Sequence, residues 1–201
     1  MTNREALLES AITSLQEKGY AGTTARDVVD GAGVSLGAIG YHFGTVQELL
    51  DAALAEAVRR WFEPLIGMLS RPEPPLSFEQ LGPALDRLLD TLAGRRPLVI
   101  AYFEALLRAE RSVRLRTELA NELDAFRQAL TAGIENLLAG RPEAAGPDPQ
   151  VSASLVVATF DGLIIQWLLA PDRVPTGQQI AETLRRTAAL AASTPASIDR
   201  A

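Results

Sequence analysis

Residues 24–43, TARDVVDGAGVSLGAIGYHF, constrain this chain more than any other stretch, because each residue type finds a place in a helix, a turn and a second helix. Thr24 opens the unit. Its hydroxyl can accept from the backbone N–H three residues on while Asp27 reaches back, the reciprocal capping box of a helix start. Val28 and Val29 are the apolar positions of that first helix. Gly31 and Gly33 are expected to supply the turn, Gly33 at positive φ, with Val34 filling the angle between the helices. Ser35 is expected to cap the second helix. That helix keeps Ile39 and Phe43 for the core at i, i+4 and leaves Ser35, Leu36, Gly37, Gly40, Tyr41 and His42 on its outer side or leading edge. Small residues beside an outward tyrosine and histidine suit close approach to another surface better than they suit a core.

Together with the helix before it and the GTVQELL segment after it, the stretch resembles the DNA-binding domain of the TetR family of transcriptional regulators. The features that carry the resemblance are a threonine-capped helix, the A-G-V-S turn, G-x-[IL]-x-Y-H-F and a further capped helix, in that order. The sequence departs from the family pattern at Gly40, commonly a tyrosine, and at Val46, commonly a lysine. The resemblance implies an all-α fold: an N-terminal three-helix helix-turn-helix DNA-binding domain at residues 1–47, then a helical-bundle ligand-binding and dimerisation domain at 48–193 and a flexible tail at 194–201. It further implies a homodimer on a palindromic double-stranded operator, released by a small-molecule effector. The residues expected at DNA are Thr24, Arg26, Ser35, Leu36, Gly37, Gly40, Tyr41, His42 and Thr45.

Composition supports helices and narrows the chemistry. Hydrophobic residues make up 47% of the 201-residue chain but aromatics only 5%, with alanine and leucine dominant, which favours helix over sheet. Cysteine is absent and histidine occurs once, so disulfides are excluded and no metal or other cofactor is expected. With no Ser/His/Asp set and no phosphate-cradling glycine loop, catalysis is not expected. The N-terminus lacks the apolar core of a signal peptide, so a cytoplasmic protein is expected.

The charge balance pulls against DNA binding. Net charge is −6 overall, and residues 1–50 carry Arg4, Lys18 and Arg26 against six carboxylates. Helix starts at Thr24, Ser35 and Thr45 can bind phosphate through backbone amides without cations. The acidic balance, with Gly40 and Val46, makes an all-helical interaction module with weakened or lost operator binding the alternative reading.

Along the chain, a first helix is expected from Asn3 to Lys18, stopped by Gly19. Thr45 and Glu48 form a second capping box, and a helix of about seven turns follows, its face marked by Leu50, Leu54, Trp61, Leu65 and Leu69. It links the two domains. Residues 70–76 read as a proline-rich loop, Ser77 and Gln80 as another box, and Gly94 as the end of that helix. Pro97 opens the next helix, expected to be buried on several sides. From Ser112 to Ala139, apolar residues from Leu115 to Leu137 are spaced 4, 4, 3, 4, 4 and 3, a bundle-helix pattern. Residues 140–149 read as a loop. The apolar run Val151 to Ala170 contains Asp161 and Gln166, and a central carboxylate costs about 2.5–3.5 kcal/mol in a bilayer, so no membrane span is expected. Thr176 with Gln179 caps a last helix.

Rings on separate helices that must pack together suggest an effector site for an apolar or aromatic ligand at Trp61, Phe62, Leu65, Tyr102, Phe103, Leu107, Phe126 and Phe160. The last two helices are expected to pair with those of a second copy through Val156, Leu163, Trp167, Ile180 and Leu184.

Overall fold

The computed structural model describes residues 1–69, 82–83, 85–87, 89–90, 95–139 and 147–193. The expected loop at 70–76, the Ser77 box, the Gly94 stop, most of the loop at 140–149 and the tail at 194–201 lie outside these residues. All regular structure among the described residues is helical.

Helix α1 (Asn3–Gly22) starts at Thr2, which makes a capping box with Glu5 that the sequence reading did not single out. Its stripe of Leu7, Ala11, Ile12 and Leu15 is buried. Gly19 breaks the helix at φ 71°, as expected, but one further turn follows it to Gly22. Helix α2 (Ala25–Ala32) buries Val28 and Val29. Gly31 remains helical and does not form the turn; a Cβ there would crowd the Ser10 Oγ, which itself donates to the Val28 carbonyl at 2.8 Å. Its smallness serves the close crossing of α1 and α2. The turn is made by Gly33 in the left-handed region, φ 65°.

Helix α3 (Gly37–Phe43) is followed by α4 (Val46–Leu69), which runs on through Pro64. Leu49, Leu50, Ala53, Leu54, Ala57, Val58, Trp61, Phe62 and Leu65 of α4 are all buried, a face broad enough to serve both halves of the molecule. Arg60 of α4 ties it to α1: its guanidinium donates to Glu56 at 2.8 Å and to Glu9 at 2.9 Å.

Helix α5 (Arg96–Ala109) has Pro97 in its first turn and buries Val99, Ala101, Tyr102, Ala105 and Ala109. Its opposite side is open, with Ile100, Leu106 and Leu107 exposed, so it is not enclosed all round. In α6 (Val113–Ala139) the seven-residue pattern faces inward through Leu115, Leu119, Phe126 and Leu130. Helix α7 (Pro149–Leu169) is capped by Asp148, whose carboxylate accepts from the N–H groups of Gln150 and Val151. By length and composition α7 could cross a membrane, yet it buries Ala153, Val157, Phe160, Leu163 and Ile164 against the bundle. A 3₁₀ turn (Pro171–Arg173) leads to α8 (Gly177–Ser193), where the Thr176–Gln179 box forms. The Gly177 N–H donates to Asp86 at 2.6 Å, which docks the start of α8 on that helical residue.

Candidate functional site

Thr24 and Thr45 build the helix starts that frame α3. Each hydroxyl accepts from the N–H three residues on, at 3.2 Å from Asp27 and 3.1 Å from Glu48, and each backbone N–H donates to that carboxylate in return. Asp27 also accepts from Lys18 at 2.5 Å. The Lys18 hydrogen bond, then those from Thr24, hold the Asp27 carboxyl far below the usual range. Lys18 is therefore committed to the protein. Arg4 lies over the Phe43 ring at 5.1 Å, while Arg26 is exposed and makes no ion pair among the described residues. Of the three cations of this domain, Arg26 is the one with neither an ion pair nor a ring contact among the described residues.

Helix α3 buries Ile39 and half-buries Phe43, leaving Leu36, Gly37, Gly40 and Tyr41 exposed. Tyr41 is 85% exposed and meets His42 edge-to-face, ring centroids 4.8 Å apart. His42 itself is half-buried. The expected cap at Ser35 does not form: the position before α3 is Leu36, without a side-chain cap, and Ser35 contributes its carbonyl to Ala38 N–H at 3.0 Å. Ser35 is exposed, one residue too early in the chain to cap a helix that starts after Leu36. A Cβ at Gly40 would meet no atom within 4 Å, so nothing inside the protein demands glycine there.

The two halves meet at one end of α5. Glu104 accepts the Tyr20 N–H at 3.1 and 3.2 Å, Arg108 donates to Asp51 at 3.0 Å, and Tyr20 OH donates to the same Asp51 at 3.3 Å. Arg108 also covers the Tyr20 ring at 5.3 Å. Burial, then the Asp51 charge, raises the Tyr20 hydroxyl above its ordinary range. Asp51 has no visible signal in sequence, since it occupies one polar position on an amphipathic helix.

One turn away, α5 enters a cluster of rings. Trp61 lies 5.4 Å from Phe62, 5.0 Å from Tyr102 and 6.2 Å from Phe160; Phe62 is 5.1 Å from Phe126, and Tyr102 is 5.3 Å from Phe103. Leu65 is buried in the same core. Leu107 is not part of it: at 76% exposure it projects to solvent, because it lies on the opposite side of α5 from Tyr102. Tyr102 OH donates to Asp161 at 3.3 Å, and burial raises both groups. The rings close on one another, whereas two open grooves, one of about 560 Å³ at Arg127, Thr131 and Gln150 and one of about 350 Å³ at Ala52, Arg59 and Asn121, are lined by other residues.

The outer face of α7 carries Leu155, Val156, Ile165 and Leu169, the last 82% exposed, and α8 adds Leu184. Leu163 is turned inward, 6% exposed, since it shares the face of Phe160 and Ile164; it is not an outward residue. Trp167 is half-buried with Arg96 over its ring at 5.3 Å, and Ile180 is half-buried.

Capped helix, left-handed glycine turn and short outward-facing helix, set on a helical bundle, define a helix-turn-helix regulator. Comparison with known proteins agrees. Residues 7–53 match the tetR family of bacterial regulatory proteins, and residues 79–192 match the C-terminal domain of BetI-type transcriptional repressors. An uncharacterised HTH-type transcriptional regulator of Mycobacterium tuberculosis is 30% identical over 161 residues, 79% of each chain. The HTH-type regulator TtgR of Pseudomonas putida is 26% identical, over 85% of this chain and 82% of its own. The crystal structure of the multidrug binding protein EbrR with proflavin superposes at a TM-score of 0.62 with 33% identity, covering 92% of this chain and 99% of that one. The chain belongs to the TetR family of transcriptional regulators, and is not an enzyme.

Proposed function

We propose that the protein is a cytoplasmic homodimeric repressor that binds a palindromic operator through α3 and is released by a small apolar or aromatic effector. The observation that carries the DNA reading is the outward set on α3: Tyr41 exposed, His42 against it, and Gly37 and Gly40 leaving the helix surface low between them. Tyrosine and histidine reach phosphates and base edges by hydrogen bonds, and the low surface lets the helix seat deeply in the major groove. The helix starts at Thr24 and Thr45, whose remaining first-turn N–H groups are not taken up by the caps, the Ser35 hydroxyl and Arg26 would flank it with phosphate contacts.

Pairing of two copies through α7 and α8 is supported by the apolar outer face of α7 at Leu155, Val156, Ile165 and Leu169, continued by Ile180 and Leu184 and edged by Trp167. A helix-turn-helix dimer reads two successive major grooves about 34–36 Å apart, so the dimer sets the spacing that the operator must match. The effector reading rests on the rings of Trp61, Phe62, Tyr102, Phe103, Phe126 and Phe160. EbrR, of similar fold, is described as a multidrug binding protein and holds proflavin. Helix α4 carries both Thr45 at the DNA side and Trp61 at the rings, so a ligand that parts the rings re-aims α3. For a near-complete switch the ligand must prefer the DNA-incompetent state by about 5.5 kcal/mol.

The test is a binding assay of the purified chain against the intergenic DNA beside its own coding region. A saturable, sequence-dependent complex with two copies per site is expected. Absence of any such complex at low salt would favour a helical interaction module that has lost operator binding, the reading to which the acidic N-terminal domain and the engaged Lys18 lend weight.

A further inference from the structure

Within the ring cluster stands a carboxylate that the protein leaves largely uncompensated. Asp161 is half-buried on α7, next to Phe160, and its hydrogen-bond partner among the described residues is the Tyr102 hydroxyl at a long 3.3 Å. No ion pair to Asp161 exists among the described residues. Both arginines of the facing helix are committed elsewhere: Arg96 lies over the Trp167 ring at 5.3 Å and donates to the Leu168 carbonyl at 3.1 Å, and Arg108 donates to Asp51 at 3.0 Å. A second group in the same cluster is unsatisfied. Trp61 is 1% exposed, and its Nε1–H has no acceptor among the described residues. Buried charge without a cation, and a buried donor without an acceptor, are each costly to a fold and are concentrated at ligand sites.

We infer that the effector is an organic monocation with an aromatic body, its charged nitrogen seated on the Asp161 carboxylate and its rings between Trp61, Tyr102 and Phe160. This rests on the reading of the ring cluster as the effector site. The chemistry is complementary on both counts. The ligand's charge supplies the counter-charge that no described side chain gives Asp161, and the faces of Trp61, Tyr102 and Phe160 stabilise a cation by their quadrupoles. A heteroatom lone pair or ring face of the ligand gives the Trp61 N–H its acceptor. An anionic ligand would be repelled by Asp161, and a neutral hydrocarbon would leave the carboxylate desolvated and unpaired. Because the rings are in mutual contact, the ligand enters by parting them, which places its binding energy directly on α4 and α5.

The test uses the full chain without DNA. In a Trp167→Phe background, Trp61 becomes the sole tryptophan and its emission reports the cluster. Three probes are titrated and checked by calorimetry: proflavin as the cation, N-phenyl-1-naphthylamine as the neutral ring compound and 1-anilinonaphthalene-8-sulfonate as the anion. Proflavin is expected to bind and quench Trp61, with Asp161→Asn weakening it at least tenfold and Asp161→Glu recovering part of the loss. The neutral probe should change less than threefold between the same variants. The sulfonate should bind the Asp161→Asn variant better than the parent. Equal proflavin affinity in parent and Asp161→Asn overturns the proposal. Quenching by the neutral probe but not by proflavin retains the effector cluster and overturns its preference for cations; quenching by none of the three removes the effector site as well. Operator binding by the ligand-free chain is read separately, so its failure falls on the DNA reading alone.

Discussion

The Glu104 carboxylate, on the helix that carries Tyr102 into the ring cluster, accepts the backbone N–H of Tyr20 at the broken end of α1. Gly19, at φ 71°, turns that N–H toward α5, and a Cβ at Gly19 would come 2.9 Å from the Glu104 Oε1. The regulatory half thus holds the DNA-binding half by a charged acceptor on a main-chain donor, reinforced by Arg108 on Asp51.

Removing that acceptor should loosen the junction. Glu104→Ala is expected to lower stability by about 1–3 kcal/mol, the usual cost of stranding a partly buried donor. Glu104→Gln, which retains an acceptor oxygen, should cost less. Urea unfolding checks this, and operator affinity measured on the same variants shows whether the junction also fixes the orientation of α3.

Gly33 occupies the left-handed region with open space around it, so the conformation alone should decide the outcome of substitution. Gly33→Ala is expected to destabilise by about 1–2 kcal/mol, the cost of placing a β-carbon in that region. Gly33→Asn should cost less, since asparagine tolerates left-handed backbone. Thermal melting of both variants separates conformation from packing.

At Gly40 stability and function are expected to part. Gly40→Ala should raise stability by about 0.5–1 kcal/mol, because a helical glycine with free space beside it is merely flexible. It should at the same time weaken operator binding if the low surface of α3 meets DNA. Tyr41→Ala and His42→Ala should each reduce operator affinity by roughly 5- to 150-fold, the equivalent of about 1–3 kcal/mol for a good contact to a base. Sedimentation should show the dimer unchanged; normal operator affinity in both variants would move the recognition face elsewhere.

Acid should loosen α4 from α1. Hydrogen bonds from Arg59, then Arg60, pull the Glu56 carboxyl from an ordinary 4.5 down to about 2, and Arg60 lowers Glu9 as well. A depressed folded-state value means that the unfolded chain binds protons first. The stabilisation is present above about pH 4.5 and is lost as pH falls toward 2. Glu56→Gln should flatten the melting temperature across that window.

Asp161 works with the opposite sign. Burial raises its carboxyl above 3.8, so the folded state takes up its proton first and stability declines as pH rises from 3.8 through the raised value. At neutral pH the charge is a cost to the fold. Asp161→Asn should melt at the same temperature or higher at pH 7, and a marked fall in melting temperature would mean that a cation within the protein compensates the carboxylate.

Local chemistry in the sequence was sufficient for the helices and for several of their starts, though not for α3, where the Ser35 cap does not form, or for α1, whose box at Thr2 was not singled out. Thr24 with Asp27, Thr45 with Glu48 and Thr176 with Gln179 each form the box their spacing predicts, since capping involves groups only three residues apart. Glycine punctuation was legible at Gly19 and Gly33 but not at Gly31, whose smallness answers to Ser10 on another helix. The exposure of Tyr41 on α3 followed from the inward Ile39, a matter of helical period, whereas His42 is half-buried like Phe43. Which way each apolar residue of the longer helices points did not follow. Leu107 and Leu163 sit on helices apolar around much of their circumference, where the period is blurred and only the packed neighbours choose the buried side. Tertiary structure alone decided that Glu104 meets Tyr20, that Arg108 meets Asp51 and that Asp161 lies beside Tyr102 with no cation among the described residues. These residues are separated by tens of positions along the chain, and a charge on a helix has the same local pattern whether it faces water, a partner or a ligand.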